Sequence, residues 1–273
     1  MRLLYANLKF EIMNEIDISL LPDQGPVALI DGDSLLYFEM GKPTLEDAID
    51  GIDQRLYTML NECKTARYAG FLTIGKCFRY DKAKTREYKG NRKHGSKPII
   101  FYALKEYLKQ HWKFTYIKEL EADDLVSVYH DPPNTVICSP DKDVLYQNKG
   151  IHFDYRTATF IRVIDKTQAV YFLWKQMLMG DPGDGIPGIP KVGPKTAEKW
   201  LNEVPISDYP TFVLEKYIEK FEMSEGICKF NETFRLVYIL KSKEDVLRET
   251  NITLNELSIN NVKQLENYVD KVY

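Results

Sequence analysis

Apolar and polar positions follow each other along the chain in a pattern that predicts alternating strands and helices. Residues 27–30, 68–74 and 135–139 are short apolar runs of the kind found in buried strands. Residues 47–64, between the first two runs, carry an apolar stripe at helical spacing. Strands that alternate with helices favour an α/β fold in which helices flank a mostly parallel central sheet.

Further elements are predicted around this centre. Residues 114–117 are expected to form a short strand, and residues 151–155 and 160–164 a hairpin at the edge of the sheet. Additional helices are predicted over residues 99–112, 121–129 and 234–240. We expect the C-terminal helices to pack back onto the core.

Carboxylates follow several of these elements, far apart in sequence. They are Asp31 and Asp33, then Glu121, Asp123 and Asp124, then Asp141 and Asp143, and finally Asp181 and Asp184. Because sites in parallel sheets lie beyond the carboxyl ends of the strands, we expect these side chains to converge. Unrelated helix caps and turn aspartates are the ordinary alternative, but four successive clusters argue against it.

The chemistry of this acidic set favours a hard divalent cation. Carboxylates gathered in one pocket repel each other unless cations neutralise them. All of these side chains are hard oxygen ligands, which select Mg²⁺ or Mn²⁺ over zinc. A site with so many carboxylates fits two-metal phosphodiester hydrolysis. Asp123 is the least secure member, since it points away from the helical face that Glu121 and Asp124 share.

Charge is unevenly distributed. The chain has 273 residues and a net charge of −3, which argues against general basic adhesion to nucleic acid. Residues 76–97, however, hold nine Lys or Arg against Asp81 and Glu87, so this segment is +7 and the rest of the chain −10. A basic segment beside an acidic pocket fits a protein that attracts phosphates, although a solvated face is the alternative.

Cysteines and apolar runs indicate the cellular setting. The four cysteines show no C-x-x-C spacing, so neither a zinc site nor a disulfide framework is predicted, and a reducing cytoplasm is expected. No apolar run reaches the roughly 18 residues that a membrane span requires, so we expect no membrane partner.

Residues 180–201 combine glycines, prolines and lysines at a predicted turn. Pro194 suits the first position of the helix that follows, and backbone N–H groups at such a helix start form a phosphate cradle. The glycines are Gly185, Gly188 and Gly193, and the lysines expected on one side of the turn are Lys191, Lys195 and Lys199. A helix connector without a ligand is the alternative.

These motifs, in this order, resemble those of the 5′-nuclease family, which includes phage 5′→3′ exonucleases, flap endonucleases and the 5′-nuclease domain of bacterial DNA polymerase I. The likeness runs from about residue 27 to 201 through the motifs IDGD, EADD, D-x-D and MGD-x-x-D. It implies a PIN-like core in which eight acids hold two Mg²⁺ or Mn²⁺ ions: Asp31, Glu121, Asp123, Asp124, Asp141, Asp143, Asp181 and Asp184.

The stretch EYKGNR resembles the arch base of the family, beneath or through which single-stranded 5′ ends pass. The resemblance implies that Lys89 and Arg92 contact the scissile phosphate and stabilise its developing charge. Lys76, Arg79 and Lys93 are then expected to steer and position the strand. Tyr88 is a candidate for stacking on a terminal base, with packing as the commoner role of such an aromatic.

A helix–three-turn–helix at residues 186–201 is also implied, which in the family binds duplex DNA through its backbone, often with a K⁺ ion. The residues expected to contact DNA there are Gly188, Lys191, Gly193, Lys195 and Thr196. We therefore expect a catalytic core over residues 1–184, with a basic arch at about 76–110, and a helix–three-turn–helix and C-terminal helical region over 185–273.

The chain departs from the family pattern at two places. A further ligand aspartate usually precedes the G-K-x-F-R stretch, and the equivalent place here is Thr73 or Ile74. This implies that one metal is held more weakly, or that Asp33 compensates. Gly185 stands where an asparagine is common, which we regard as minor.

The resemblance implies a Mg²⁺-dependent 5′→3′ exonuclease or structure-specific flap endonuclease of phage replication or recombination. Its expected partners are DNA with 5′ ends, flaps or nicks, with RNA–DNA hybrids as a further substrate, and it is expected to act as a monomer in the host cytoplasm. Two alternatives stay open. They are a branched-DNA-binding protein with little nuclease activity, against which the eight acids argue, and an RNA-cleaving PIN nuclease, against which the glycine-rich turn argues.

Overall fold

A computed structural model describes residues 25–92, 97–163, 166–252 and 267–268. The strands are β1 (Val27–Asp31), β2 (Arg67–Phe71), β3 (Thr135–Cys138), β4 (Gly150–Asp154), β5 (Thr159–Val163), β6 (Gly180–Asp181), β7 (Ile186–Pro187) and β8 (Asn267–Tyr268). Six of them form a central sheet with the order β5-β4-β3-β1-β2-β8, and β6 pairs with β7 in a separate ribbon.

The four inner strands run parallel to one another. β1 pairs in parallel with both β2 and β3, and β3 pairs in parallel with β4. β5 and β8 are antiparallel strands at the two edges, so the predicted edge hairpin is present as β4 and β5. The predicted α/β class with a mostly parallel sheet is confirmed.

Helices connect and surround the strands. They are α1 (Gly32–Glu39), α2 (Leu45–Glu62), α3 (Arg79–Lys82), α4 (Ile99–Gln110), α5 (Ala122–Val128), α6 (Lys142–Gln147), α7 (Lys166–Met179), α8 (Pro194–Leu201), α9 (Tyr209–Phe221), α10 (Met223–Val237) and α11 (Lys243–Glu249). Within the described ranges, no helix is both long and apolar enough to cross a membrane.

Both faces of the sheet are buried, which explains why its central strand reads as a continuous apolar run. Ala28 and Ile30 of β1 contribute to a core cluster with α1, α2 and α4. Val27 and Leu29 point to the opposite face and pack in a second cluster with α5 and α11. A third cluster joins α7 to α8, α9 and α10. The helices α8, α9 and α10 thus pack against α7, which precedes the acidic segment 181–184 in the chain, and against Ile186 and Ile189, which follow it.

One predicted strand is wrong. Residues 114–117 make a single bridge, between Thr115 and Phe71, rather than a strand. Lys113 and Glu119 have left-handed backbones, with φ of 55° and 67°, so the chain turns into and out of this contact. The ring of Phe114 also fills the space above Gly70, where an added Cβ would come within 2.2 Å of it.

Candidate metal-dependent active site

The carboxyl ends of β1 and β3 place two acidic clusters side by side. Asp31 ends β1 and caps α1, and Asp141 caps α6, each accepting a hydrogen bond from the N–H two residues further on. Ser139 joins them, because its hydroxyl donates to Asp31 Oδ2 at 2.9 Å and accepts from the Asp141 N–H at 3.1 Å. Adjacent parallel strands therefore bring together residues that are 110 positions apart.

The acids line two adjoining cavities. The larger, of about 710 Å³, is lined by Asp31, Asp33, Glu121, Asp123, Asp141 and Asp184. A small recess beside it is lined by Asp123, Asp141, Asp143, Asp181 and Asp184. Three carboxylates, Asp123, Asp141 and Asp184, belong to both. Every predicted ligand except Asp124 thus lines at least one of the two cavities.

Asp124 faces the core instead. It is fully buried, and both of its oxygens accept hydrogen bonds from the guanidinium of Arg79, at 2.6 and 2.7 Å. One oxygen each from Glu121, Asp123 and Asp124 lies within 4.8 Å of the others, a spacing that a metal ion would accept. A metal ion at Asp124 would have to compete with the hydrogen bonds from Arg79 to both Asp124 oxygens. Metal ligation by Asp124 therefore stays a prediction.

Two residues expected to contact DNA are buried in the protein. Arg79 is 1% exposed, so the prediction that it steers a strand is wrong. Tyr88 is 3% exposed, and its hydroxyl oxygen lies 3.0 Å from Glu121 Oε2 and 3.1 Å from Asp184 Oδ2, so its single proton is shared between the two carboxylates. Stacking of Tyr88 on a terminal base is therefore wrong as well, and packing is its role. Lys76 is exposed, whereas Lys93 lies outside the described residues.

Burial and mutual repulsion raise the pKa of several of these acids. Burial, with Asp33 and Asp141 nearby, raises the pKa of Asp31 to about 7. Burial and Asp141 raise the pKa of Asp143 to about 7, and burial with Glu121 raises that of Asp123 well above its usual range. Glu121 differs: burial acts to raise its pKa, but Lys89 and Arg79 outweigh this and hold it at about 2.

Cations of the basic segment lie at the mouth of the larger cavity. The Lys89 ammonium is 2.5 Å from Glu121 Oε1 and 3.7 Å from Asp184 Oδ2, and Arg92 is paired with Asp184. Two hydrogen bonds fix this segment. The Lys89 backbone N–H donates to the Asp184 carbonyl at 2.7 Å, and the Asn91 side-chain amide donates to the Pro182 carbonyl at 2.7 Å. The predicted arch base and the MGD-x-x-D turn are therefore in direct contact.

Lys105 and Arg156 also line the larger cavity, and the sequence pattern did not identify them. Lys105 follows the buried Leu104 on α4, and Arg156 lies at the tip of the β4–β5 hairpin. Neither belongs to a motif or a charge run, so only tertiary structure reveals their position.

No family model matches the chain. The exodeoxyribonuclease of enterobacteria phage T3 is 35% identical over 127 residues, which are 42% of this chain and 40% of that protein. The chain spans less than half the length of the curated relatives that it matches.

Solved structures give a fuller match. The T5 D15 protein, co-crystallized with metal ions, matches 86% of this chain and 99% of its own at a TM-score of 0.59 and 20% identity. The T5 5′-exonuclease with bound zinc covers the same shares at a TM-score of 0.56 and 17% identity. This chain has the 5′-nuclease fold. The resemblance drawn from its motifs is confirmed.

Within this 5′-nuclease fold, the departure at Thr73 has a structural counterpart. The Thr73 N–H donates to Asp33 Oδ1 at 2.9 Å, and the Thr73 hydroxyl accepts from the Ala122 N–H at 2.9 Å. Lys105 donates to the Thr73 carbonyl. Asp33, at the start of α1, therefore places a carboxylate beside Thr73, which follows β2 and has no carboxylate of its own.

The glycine-rich turn is shaped by close backbone contact. Gly180 has φ +71°, and a Cβ there would lie 2.2 Å from the backbone nitrogen of Gly188. The helix predicted after the turn begins as expected, with Gly193 as N-cap and Pro194 in the first turn of α8. The lysines of this region, Lys191, Lys195 and Lys199, are exposed, and Thr196 is half-buried. Their contact with DNA stays a prediction.

Proposed function

We propose that this protein hydrolyses phosphodiester bonds of DNA at or near 5′ ends, as a metal-dependent 5′→3′ exonuclease and structure-specific flap endonuclease. One observation carries the proposal. Eight carboxylates from separate chain segments, seven of them predicted ligands, line two adjoining cavities at the carboxyl edge of a parallel sheet, with Lys89 and Arg92 at the mouth. The T3 exodeoxyribonuclease and the T5 5′-exonuclease, to which the chain is similar, support this reading.

The residues present fit divalent metal ions. All seven ligands are hard carboxylate oxygens, which suit Mg²⁺ or Mn²⁺. Without a cation, burial would leave Asp31 and Asp143 partly protonated near neutral pH, since it raises the pKa of each to about 7. Three carboxylates shared by two adjoining cavities favour a pair of ions. Bound ions of this kind supply a nucleophilic hydroxide and Lewis-acid stabilisation of the leaving oxygen.

The chain's own groups then position the phosphate. Lys89 and Arg92 lie against acids of the cavity, so their N–H donors are within reach of a phosphate held there. Donors aimed at the oxygens on which charge develops stabilise the transition state more than the ground state. Exposed Lys76 attracts the approaching strand, and Lys93 is proposed to act with it.

Duplex DNA is proposed to bind at the glycine-rich turn. Gly188 and Gly193 are half-buried, as is Thr196 in the first turn of α8, and the exposed Lys191 and Lys195 lie beside them in the sequence. We propose that this element serves as the helix–three-turn–helix, with a K⁺ ion where the backbone carbonyls allow. The catalytic core would then cover residues 1–184 and the duplex-binding region 185–273, in a monomer that also accepts RNA–DNA hybrids.

A labelled flap assay tests the proposal. A 5′-flap DNA, labelled at either end, is incubated with Mg²⁺, Mn²⁺ or EDTA and with wild type, Asp141→Asn or the control Asp50→Asn, which removes an exposed acid of α2. We expect metal-dependent cutting by wild type and the control and at least 100-fold slower cutting by Asp141→Asn. A ladder of products would indicate exonuclease action. A single released flap oligonucleotide would indicate endonuclease action.

Two outcomes would contradict the proposal. Absence of cutting by wild type with either metal would refute the enzyme and leave a branched-DNA-binding protein. Full activity of Asp141→Asn would refute the assignment of the site.

A further inference from the structure

Arg79 is a fully buried cation whose every N–H donor is engaged. Its guanidinium donates twice to Asp124, at 2.6 and 2.7 Å, and once to Glu121 Oε2, at 3.0 Å. The two remaining donors reach the backbone carbonyls of Leu236, at 3.2 Å, and Tyr238, at 2.8 Å. Five donors therefore meet five acceptors, which is the full capacity of the side chain.

The acceptors belong to two parts of the chain that are otherwise distant. Glu121 and Asp124 form the start of α5 beside the cavity, whereas Leu236 and Tyr238 form the end of α10. Asp124 strengthens the connection, since its Oδ1 also accepts from the Leu240 N–H at 3.1 Å. The guanidinium thus links the acidic edge of the sheet to the segment 236–240.

Glu121 is the member of this group that faces the cavity. Its Oε2 is held by Arg79 and by the Tyr88 hydroxyl, each at 3.0 Å, so that Oε1 is the oxygen left toward Lys89 and the cavity. Removing Arg79 would leave Glu121 Oε2 with the Tyr88 hydroxyl as its remaining partner, and Asp124 would lose both hydrogen bonds from the guanidinium. Groups that orient a metal-binding carboxylate from behind commonly change metal affinity 10- to 100-fold when they are replaced.

We infer that Arg79 is a positioning residue: it aims Glu121 at the metal through a buried fork that also anchors the end of α10. The inference rests on the proposed function in so far as Glu121 binds metal. It makes Arg79 part of the site's support rather than a contact for DNA. The fork geometry matters, because a lysine ammonium has three donors on a flexible stem and cannot bond two carboxylates and two carbonyls at these positions.

The test compares Arg79→Lys, which keeps the charge, with wild type and with Lys82→Ala, which removes a half-exposed charge from the same helix. Mn²⁺ binding is measured on the free protein by electron paramagnetic resonance at 10 °C, after circular dichroism has shown that each variant is folded. Flap cutting is then titrated with Mn²⁺. We expect Arg79→Lys to bind Mn²⁺ at least 10-fold more weakly, to require correspondingly more Mn²⁺ for cutting, and to recover cutting within about threefold of wild type at saturation.

The possible outcomes distinguish failure of the inference about Arg79 from failure of the proposed function. If wild type neither binds Mn²⁺ nor cuts, the proposed function fails. If wild type binds and cuts, and folded Arg79→Lys has the same Mn²⁺ affinity, the inference about Arg79 is overturned. Reduced cutting at every Mn²⁺ concentration with unchanged affinity would indicate only general structural damage, and it would overturn the inference too.

A second variant covers the case in which Arg79→Lys does not fold. Arg79→Met combined with Asp124→Leu removes both buried charges together, and replacing both partners with apolar groups of similar size is often tolerated. Asp124→Asn, which removes the carboxylate and keeps Arg79, is the reference for this variant. A folded double variant that binds Mn²⁺ at least 10-fold more weakly than Asp124→Asn would support the inference. Wild-type affinity in the same variant would refute it.

Discussion

Asp31→Asn is expected to stabilise the protein in the absence of metal, because the folded state disfavours the charged form of the Asp31 carboxylate. Asp31 is 5% exposed, and burial with the nearby Asp33 and Asp141 raises its pKa from 3.8 to about 7. The native state therefore binds more protons than the unfolded state between about pH 4 and 7, so the free energy of unfolding falls as pH rises through that window.

The size of the effect follows from the shift in the pKa of Asp31. A change in this pKa from 3.8 to about 7 lowers the free energy of unfolding by an amount on the order of 4 kcal/mol at pH 8 and about 2 kcal/mol at pH 5, and by little below pH 4. Asparagine avoids this cost. It can still accept from the Asp33 N–H, and its amide can donate to the Ser139 hydroxyl, which now donates to Asp31.

Urea unfolding of wild type, Asp31→Asn and the control Asp50→Asn in EDTA at pH 5 and pH 8 measures the effect. We expect Asp31→Asn to exceed wild type in free energy of unfolding, by more at pH 8 than at pH 5, while Asp50→Asn stays within about 0.5 kcal/mol of wild type. Added Mg²⁺ should then stabilise wild type by about 2.7 kcal/mol at 100 times its Kd, and the variant by less. An Asp31→Asn protein no more stable than wild type at pH 8 in EDTA would refute the reasoning.

Three further predictions concern other parts of the structure. Gly180→Ala should lower the free energy of unfolding by about 1–3 kcal/mol, since its Cβ would meet Gly188, whereas Gly41→Ala meets nothing within 4 Å and should be neutral by the same urea assay. Lys195→Ala should weaken duplex binding and reduce the slope of log K against log salt by about 1 in fluorescence anisotropy; an unchanged slope would exclude a phosphate contact. Asp33→Asn should raise the half-saturating Mn²⁺ concentration about tenfold, and adding Thr73→Asp should restore it; failure of that rescue would show that the two positions do not substitute for each other.

Hydrophobic pattern was sufficient for most of the fold. The apolar run at β1 predicted a strand buried on both faces, and its alternate residues do pack in separate clusters with α1 and with α5. The strand predicted at 114–117 failed because its contact with β2 depends on Phe114 filling the space above Gly70, an interaction between residues 44 apart that periodicity does not record. Helix ends also moved by a few residues, as local capping and packing decide them.

The sequence likewise predicted only part of the candidate site. Its acids follow strands and helix starts, so their order in the chain already indicated where they would meet, and the structure places all but Asp124 around two cavities. Whether a charged side chain faces a cavity or the core is a different question. Arg79 reads as one more cation in a basic run, yet its donors meet carbonyls up to 159 residues away.

The sequence by itself determined the central parallel strands, the longer helices between them and the acidic edge of the sheet, because these depend on local periodicity and on the geometry of parallel strands. Only the tertiary structure decided that Arg79 and Tyr88 support Glu121 from within the protein, and that Asp33 lies beside Thr73. The physical reason is burial. A polar side chain can leave water only where partners from distant segments satisfy its donors and acceptors, and those partners are brought together by the fold as a whole.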